Sequence, residues 1–329
     1  MTNIEIMGLG ALNIDHLYKV ARILDDGETA VTESESFPGG SAANTIYGLA
    51  RLGVSTGFTG IVGDDAEGKI LIQDFQKAGV DTSQVRVKPG AKTGSVVCLS
   101  DTAGCRSLYV APGANNLLAE DDLDLTYINQ AGILHISSFA DDRQFQILLD
   151  LMDRLDSSTR LSFAPGALYA AKGLEALSPI LNRTHILFIN HDEIKQLTGK
   201  GIIDGAQSCL EQGCSIIAVT LGKGVKLGLK QRVGRETVTA IGYIRDAETE
   251  YILQPNNQDL APPADTTGAG DAFAAGFLYG LLKGKSLEEC GRLGDTVAKF
   301  SIAKMGARQG LPTLGQLSQH YEELYSTQL

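Results

Sequence analysis

Nowhere in the 329 residues is there a block of lysine or arginine, and the formal net charge is −11. A nucleic-acid backbone or an anionic membrane surface needs a basic face, so neither is an expected partner. The opening "MTNIEIMGLG" has no basic run, so no secretory leader is expected. No window approaches the roughly 18 consecutive apolar residues of a membrane helix. The five cysteines (Cys98, Cys105, Cys209, Cys214, Cys290) show no CxxC spacing, which disfavours metal and disulfide roles and fits reduced thiols. Internal repeats, low-complexity tracts and linkers are also missing. These absences leave a single cytoplasmic, enzyme-sized domain over 1–329, with 43% apolar and 20% charged residues, able to bury a substantial core.

What is present is alternation. "IEIMGL", "GFTGIV", "ILHIS", "LSFAP", "HILFIN" and "SIIAVTL" are short, β-rich runs, apolar on both faces. Between them lie helical patterns at Ala42–Leu52, Glu67–Ala78, Gln144–Leu155 and Asp204–Gln212, three of them closed by Gly53, Gly79 and Gly213. Buried strands alternating with glycine-capped helices predict an α/β fold, a mainly parallel sheet with helices on both faces. Two segments differ: Asn13–Phe37 alternates polar and apolar, and Thr93–Ala111 reads as a hairpin around "DTAG". They form either a small β-layer, serving as lid or dimer contact, or edge strands of the same sheet.

Two glycine motifs are decoys. "GLGALN" (Gly8–Asn13) lacks the third glycine and the following helix of a dinucleotide fingerprint. "GLLKGKS" (Gly280–Ser286) is one residue short of a P-loop and follows a helix; Ser286 with Glu289 makes a capping box.

The chemistry concentrates in "DTTGAGD", Asp265–Asp271, which opens a small-residue apolar helix. Unpaired amides at Gly268, Ala269 and Gly270 make an anion hole, and the helix dipole favours an ionised Asp271. A carboxylate beside an anion hole suits phosphoryl transfer to an alcohol. The alternative is a plain turn, with Asp265 or Thr266 capping the helix and the glycines serving packing.

The full heptapeptide resembles the C-terminal signature of the ribokinase-like (PfkB) family of sugar and nucleoside kinases. "PGGSAANTIYGLARLG" (Pro38–Gly53) resembles the N-terminal signature, with Gly39, Gly40 and Asn44 in matching places. "GALNIDHLY" resembles the early segment whose aspartate, here Asp15 with Asn13 beside it, grips sugar hydroxyls. "NHDE" resembles the family's N-x-x-E motif, placing Asn190 at the nucleotide and Glu193 at Mg²⁺, mostly through water; equally, Asn190 and Glu193 read as a capping box. "VTLGKGV" resembles the nucleotide-binding turn through Thr220, Gly222 and Gly224, and would otherwise be a glycine turn between strands. Asp265 and Thr267 match a monovalent-cation (K⁺) loop, and "AKMGARQGLP" the closing stretch beside adenine.

The resemblance spans about residues 4–315. It implies a ribokinase-like three-layer α/β/α fold with a β-sheet lid at about 13–37 and 93–111, and a homodimer paired through that lid. It further implies an ATP- and Mg²⁺-dependent kinase acting on a primary hydroxyl of a sugar, with a nucleoside as the alternative acceptor. Phe37, Tyr109 and Phe139 would be the candidate base platforms. Two departures stand out: Ala164 occupies a position often acidic in the family, and Ser41 replaces the lysine of the ribose-specific "GGKGAN". The first leaves room for a non-catalytic sugar or nucleotide sensor.

Overall fold

The computed structural model describes residues 4–103, 106–230, 235–255 and 263–329. The chain runs β1 (Ile6–Leu9), β2 (Asn13–Val20), β3 (Val31–Gly39), α1 (Ser41–Arg51), β4 (Thr56–Gly63), α2 (Ala66–Ala78) and β5 (Asp81–Lys88). It continues with β6 (Gly94–Asp101), β7 (Arg106–Ala111), α3 (Leu125–Ile128), β8 (Ile133–Ser137), α4 (Asp142–Met152), β9 (Arg160–Ala164), α5 (Gly166–Ala170) and α6 (Gly173–Arg183). Then follow β10 (Thr184–Asn190), α7 (His191–Thr198), α8 (Ile202–Glu211), β11 (Ile216–Lys230), β12 (Arg235–Arg245) and β13 (Glu250–Leu253). The last helices are α9 (Ala269–Leu282), α10 (Leu287–Ile302) and α11 (Leu314–Tyr325).

One large sheet has the order β13-β12-β11-β10-β9-β8-β1-β4-β5, parallel from β11 to β5 and antiparallel at β12 and β13. Period-2 side-chain alternation splits each central strand between two cores. Met7, Leu134, Leu187 and Ile189 pack with α4, α6, α7 and α8 on one face. Ile6, Ile133, Ile186 and Phe188 pack with α1, α9 and α10 on the other. The result is three layers, as the alternation predicts. Gly8 lets α1 approach: a Cβ there would lie 2.5 Å from Ile46 Cγ1. α9, buried from Ala272 through Gly280, is the central helix of its layer, so its sequence is apolar nearly all round.

The second sheet, β3-β2-β6-β7, is the small β-layer, and it is separate from the main sheet. β2 pairs in parallel with β6, and the hairpin around "DTAG" pairs β6 with β7 antiparallel, Val97 opposite Tyr109. Cys98, Cys209, Cys214 and Cys290 are buried, with no disulfide among the described residues; Cys105 lies outside them. No helix of the described residues is long and apolar enough to cross a membrane.

Candidate active site

The candidate residues gather at the carboxyl ends of the parallel strands, where α/β sheets bind ligands. β1 leads through Gly10 into β2, which carries Asn13 and Asp15. β3 runs back antiparallel and ends at Gly39, opposite Asn13. Gly40, with φ 99°, then caps α1; a Cβ there would lie 2.1 Å from the Ala11 carbonyl oxygen. Only glycine fits this turn. A Cβ on Gly39 would fall 2.2 Å from Asp15 Oδ2, so the bare backbone of the turn faces that carboxylate.

α9 enters from the opposite side. Gly268 is its N-cap, at φ 74°, and a Cβ there would lie 2.5 Å from Ala307 Cβ. Neither Asp265 nor Thr266 caps the helix: there is no side-chain cap bond. Asp265 instead closes a loop, Oδ1 accepting from the Thr267 amide (2.9 Å) and hydroxyl (2.8 Å), Oδ2 from the Gly306 amide (3.0 Å). Of the three amides expected to form an anion hole, that of Ala269 leans back to the Thr266 carbonyl at 3.3 Å. Beside Gly270 the space is open, with no atom within 4 Å of an added Cβ.

α1 and α9 meet at Asp271. Its Oδ1 accepts from Ser41 Oγ at 2.7 Å and its Oδ2 from Asn44 Nδ2 at 2.9 Å, while Thr45 Oγ1 donates to its main-chain carbonyl at 3.3 Å. The carboxylate keeps a partial opening to solvent but is densely enclosed by protein. That enclosure pushes its pKa up to about 6, against the lowering effect of Asn44, Ser41 and Arg308; Glu193 adds to the rise. Asp271 therefore sits above the ordinary carboxylate value because desolvation outweighs the bonds from Asn44 and Ser41 and the charge of Arg308. A carboxylate titrating near 6 is still mostly ionised at neutral pH and close enough to it to exchange protons.

Asp15 is shifted further, to about 7. Burial is the main cause, Arg308 opposes it, and Asp271 and Asp265 add like-charge repulsion. That value lies well above the ordinary carboxylate range and within reach of neutral pH. Asn13 is buried and accepts from Asn115 Nδ2 at 2.9 Å. Asn115 also bonds both backbone groups of Leu12, so it fixes the strand that presents Asn13 and Asp15.

On the other flank, Asn190 ends β10 and faces Thr220 of β11 in register. The capping box forms: the Asn190 side chain accepts from the amides of Asp192 and Glu193, and Glu193 Oε2 from the Asn190 amide at 3.0 Å. Burial raises the Glu193 pKa, with the Asn190 bonds working against it. "VTLGKGV" is not a turn between strands. β11 continues through it, with a register break between Thr220 and Val225 at which Gly222 (φ 56°) and Gly224 (φ 106°) take left-handed conformations. Such a bulge turns backbone out of the ladder toward a neighbour.

The residue that sequence reasoning missed is Arg308. It lies in the quoted "AKMGARQGLP", yet nothing local marks it. It is 4% exposed. Its Nε donates to Asn44 Oδ1 (2.9 Å), Nη1 to Asp74 Oδ2 (2.7 Å) and Nη2 to the Gly39 carbonyl (2.9 Å). Phe139 proves to be core, whereas Tyr109 is exposed on β7. Phe37 abuts Gly306, where a Cβ would lie 2.8 Å from its ring.

A carboxylate and a glycine-rich helix start set against a second glycine turn are an arrangement that suits phosphoryl transfer to an alcohol group. A family model, pfkB family carbohydrate kinase, matches residues 3–228 and 247–314, and the chain belongs to that family. It is 38% identical over 273 residues to an uncharacterized sugar kinase of Archaeoglobus fulgidus, covering 80% of this chain and 98% of that one. Its fold is that of an Arabidopsis thaliana ribokinase solved with ribose and ATP (TM-score 0.79, 24% identity, 97% and 98% of the two chains covered). A nucleoside kinase of Methanocaldococcus jannaschii, an archaeal member of the ribokinase family, matches equally well (TM-score 0.79, 22% identity, 98% and 99% covered). The chain is thus a carbohydrate kinase of the pfkB family with the ribokinase fold.

Proposed function

We propose that Asp271 takes the proton of the acceptor hydroxyl as its oxygen attacks the γ-phosphorus of ATP. The bond between the γ-phosphorus and the bridging oxygen breaks, and ADP leaves. The amides of Gly268, Ala269 and Gly270 receive the charge that builds on the phosphate oxygens. Asp15 and Asn13, with the bare turn at Gly39, Gly40 and Asn44, hold the sugar hydroxyls. Asn190, Thr220, Gly222 and Gly224 serve the nucleotide. The observation that carries this reading is the pair of bonds from Ser41 and Asn44 to Asp271, which ties the acceptor turn to the helix start.

Among the described residues no group of three or more His, Cys, Asp or Glu could hold a metal. Mg²⁺ keeps its waters and travels with phosphates, and Glu193 would hold it through water. Mg²⁺, when bound, draws charge off the phosphates. The loop closed by Asp265 and Thr267 supports a monovalent-cation role, K⁺ first. A primary hydroxyl of a sugar is the preferred acceptor. Phe37, set between lid and closing segment, favours a nucleoside as the second reading, since its ring could stack on a base. The protein acts in the cytoplasm as a homodimer, for which the apolar residues on the lid edge speak.

The test is acceptor-dependent ADP formation from Mg-ATP across D-ribose, D-fructose, other aldoses and ketoses, and inosine, with Asp271→Asn as control. One acceptor class should turn over, and the variant should lose roughly 10³-fold or more in kcat. Near-normal turnover by Asp271→Asn would remove it from the base role.

A further inference from the structure

Arg308 is placed to do more than fill the core. Its guanidinium lies between the rings of Tyr47 and Phe75, with Cζ 5.2 and 5.1 Å from their centroids. Three of its nitrogens reach three separate elements: Asn44 on α1, Asp74 on α2 and the Gly39 carbonyl at the end of β3. Two of those elements make up the acceptor turn. The third, Asp74, supplies the counter-ion that a buried cation needs.

The orientation of the Asn44 amide follows from its neighbours. A guanidinium can only donate, so Oδ1 must face Arg308; an ionised carboxylate can only accept, so the NH₂ must face Asp271. Hydrogen bonds therefore run one way from Arg308 through Asn44 to Asp271, and a flipped amide would oppose donor to donor at Arg308 and acceptor to acceptor at Asp271. Resting on the assignment of Asp271 and Asp15 above, we propose that Arg308 is a positioning residue for the acceptor half of the site. It locks Asn44 so that its amide donates to Asp271, holds the Gly39 carbonyl against the Asp15 pocket, and supplies the positive charge that keeps both carboxylates available.

The charged groups around Asp271 are Glu193 of α7, Arg308 of the closing segment and Asp15 of β2; Ser41 and Asn44 of α1 are neutral donors. Around Asp15 stand Arg308, Asp271 and Asp265. In each set Arg308 is the cation, so its loss must move both titrations upward.

The experiment compares Arg308→Met, which keeps apolar volume between the rings but donates nothing, with Arg308→Lys and Asp74→Asn. Carboxyl ¹³C NMR on aspartate-labelled free enzyme follows Asp271, its resonance identified by its absence in Asp271→Asn. This readout needs no acceptor. Kinetics with D-ribose or inosine, whichever turns over, adds KM for each substrate. Arg308→Met should shift the Asp271 titration and the acid limb of kcat/KM to higher pH. It should also raise the acceptor KM about tenfold or more while the ATP KM holds within about twofold. Arg308→Lys should recover part of each effect. Should Arg308→Met fail to accumulate, Asp74→Asn, whose side chain is only partly buried, should loosen Arg308 and raise the acceptor KM by a smaller factor with the ATP KM unchanged. The loss of its negative charge does not raise the Asp271 titration. An unmoved titration in Arg308→Met, or equal rises in both KM values, would overturn the proposal. Turnover retained by Asp271→Asn would instead sink the underlying base assignment, whatever Arg308 does.

Discussion

In the proposed site, Asp15 is the residue whose charge state would bear most directly on acceptor binding. It titrates at about 7 in the free enzyme because burial and the neighbouring Asp271 and Asp265 outweigh Arg308. Sugar hydroxyls donate to a carboxylate, so the ionised form binds them and the protonated form binds them poorly. Acceptor binding should then release a proton at neutral pH. As pH falls through about 7, the acceptor KM should rise, approaching about tenfold per pH unit well below it, while the ATP KM stays flat. Asp15→Asn should give a high acceptor KM that no longer depends on pH. A wild-type acceptor KM constant from pH 8 to about 5.5 would show that Asp15 is not the group that grips the acceptor. The same shift affects stability. A carboxyl raised in the folded state binds more protons there than in the unfolded chain, so its contribution falls as pH climbs from the ordinary carboxylate range to about 7. Stability is given up at the place where hydroxyls are to be bound.

At the scale of elements, the start of α9 separates two uses of glycine. Gly268 is left-handed and packed against Ala307, so Gly268→Ala should destabilise the fold by about 2 kcal/mol or more. Gly270 is helical with open space beside it, so Gly270→Ala should leave Tm unchanged or slightly raised. If the open space is where phosphate approaches the amides, Gly270→Ala should nonetheless lower kcat by about 100-fold. A fully active Gly270→Ala would move the anion elsewhere. The same contrast explains what could be read in advance. Buried strands and glycine-capped helices were legible because their signals are local, as were the capping boxes at Asn190 and Ser286. β5, β12 and β13 lacked a comparable apolar run; β5 and β13 are the two edges of the sheet, and β12 lies beside β13. The alternative of a cap by Asp265 stayed open in the sequence because the chain could use Asp265 either for its own helix or for Gly306, and tertiary closure decided. Arg308 was invisible for a similar reason: its partners Asn44 and Gly39 lie more than 260 residues away.

At the scale of the molecule, the two sheets divide the labour. The nine-stranded sheet fixes α9, Asn190 and the bulge of β11, while the four-stranded sheet carries Asn13 and Asp15 and continues outward to β7. β7 is an edge strand with Leu108, Tyr109 and Val110 exposed in succession, at 58%, 59% and 47%. Alternation would turn only one face of such a strand outward, and a bare apolar edge invites pairing with another chain. A second copy covering it would bury those side chains and hold the lid that presents Asp15, so association and acceptor affinity should be linked. Light scattering at micromolar concentration should give twice the 34.9 kDa chain mass for the wild type. Leu108→Lys with Val110→Lys should give the single-chain mass, and because Asp15 sits on the same sheet the acceptor KM should rise more than the ATP KM. A wild type that is monomeric under these conditions would dispose of the dimer. A monomeric double variant with unchanged KM values would show instead that the lid holds its geometry alone, through the bonds of Asn115 to Leu12 and Asn13.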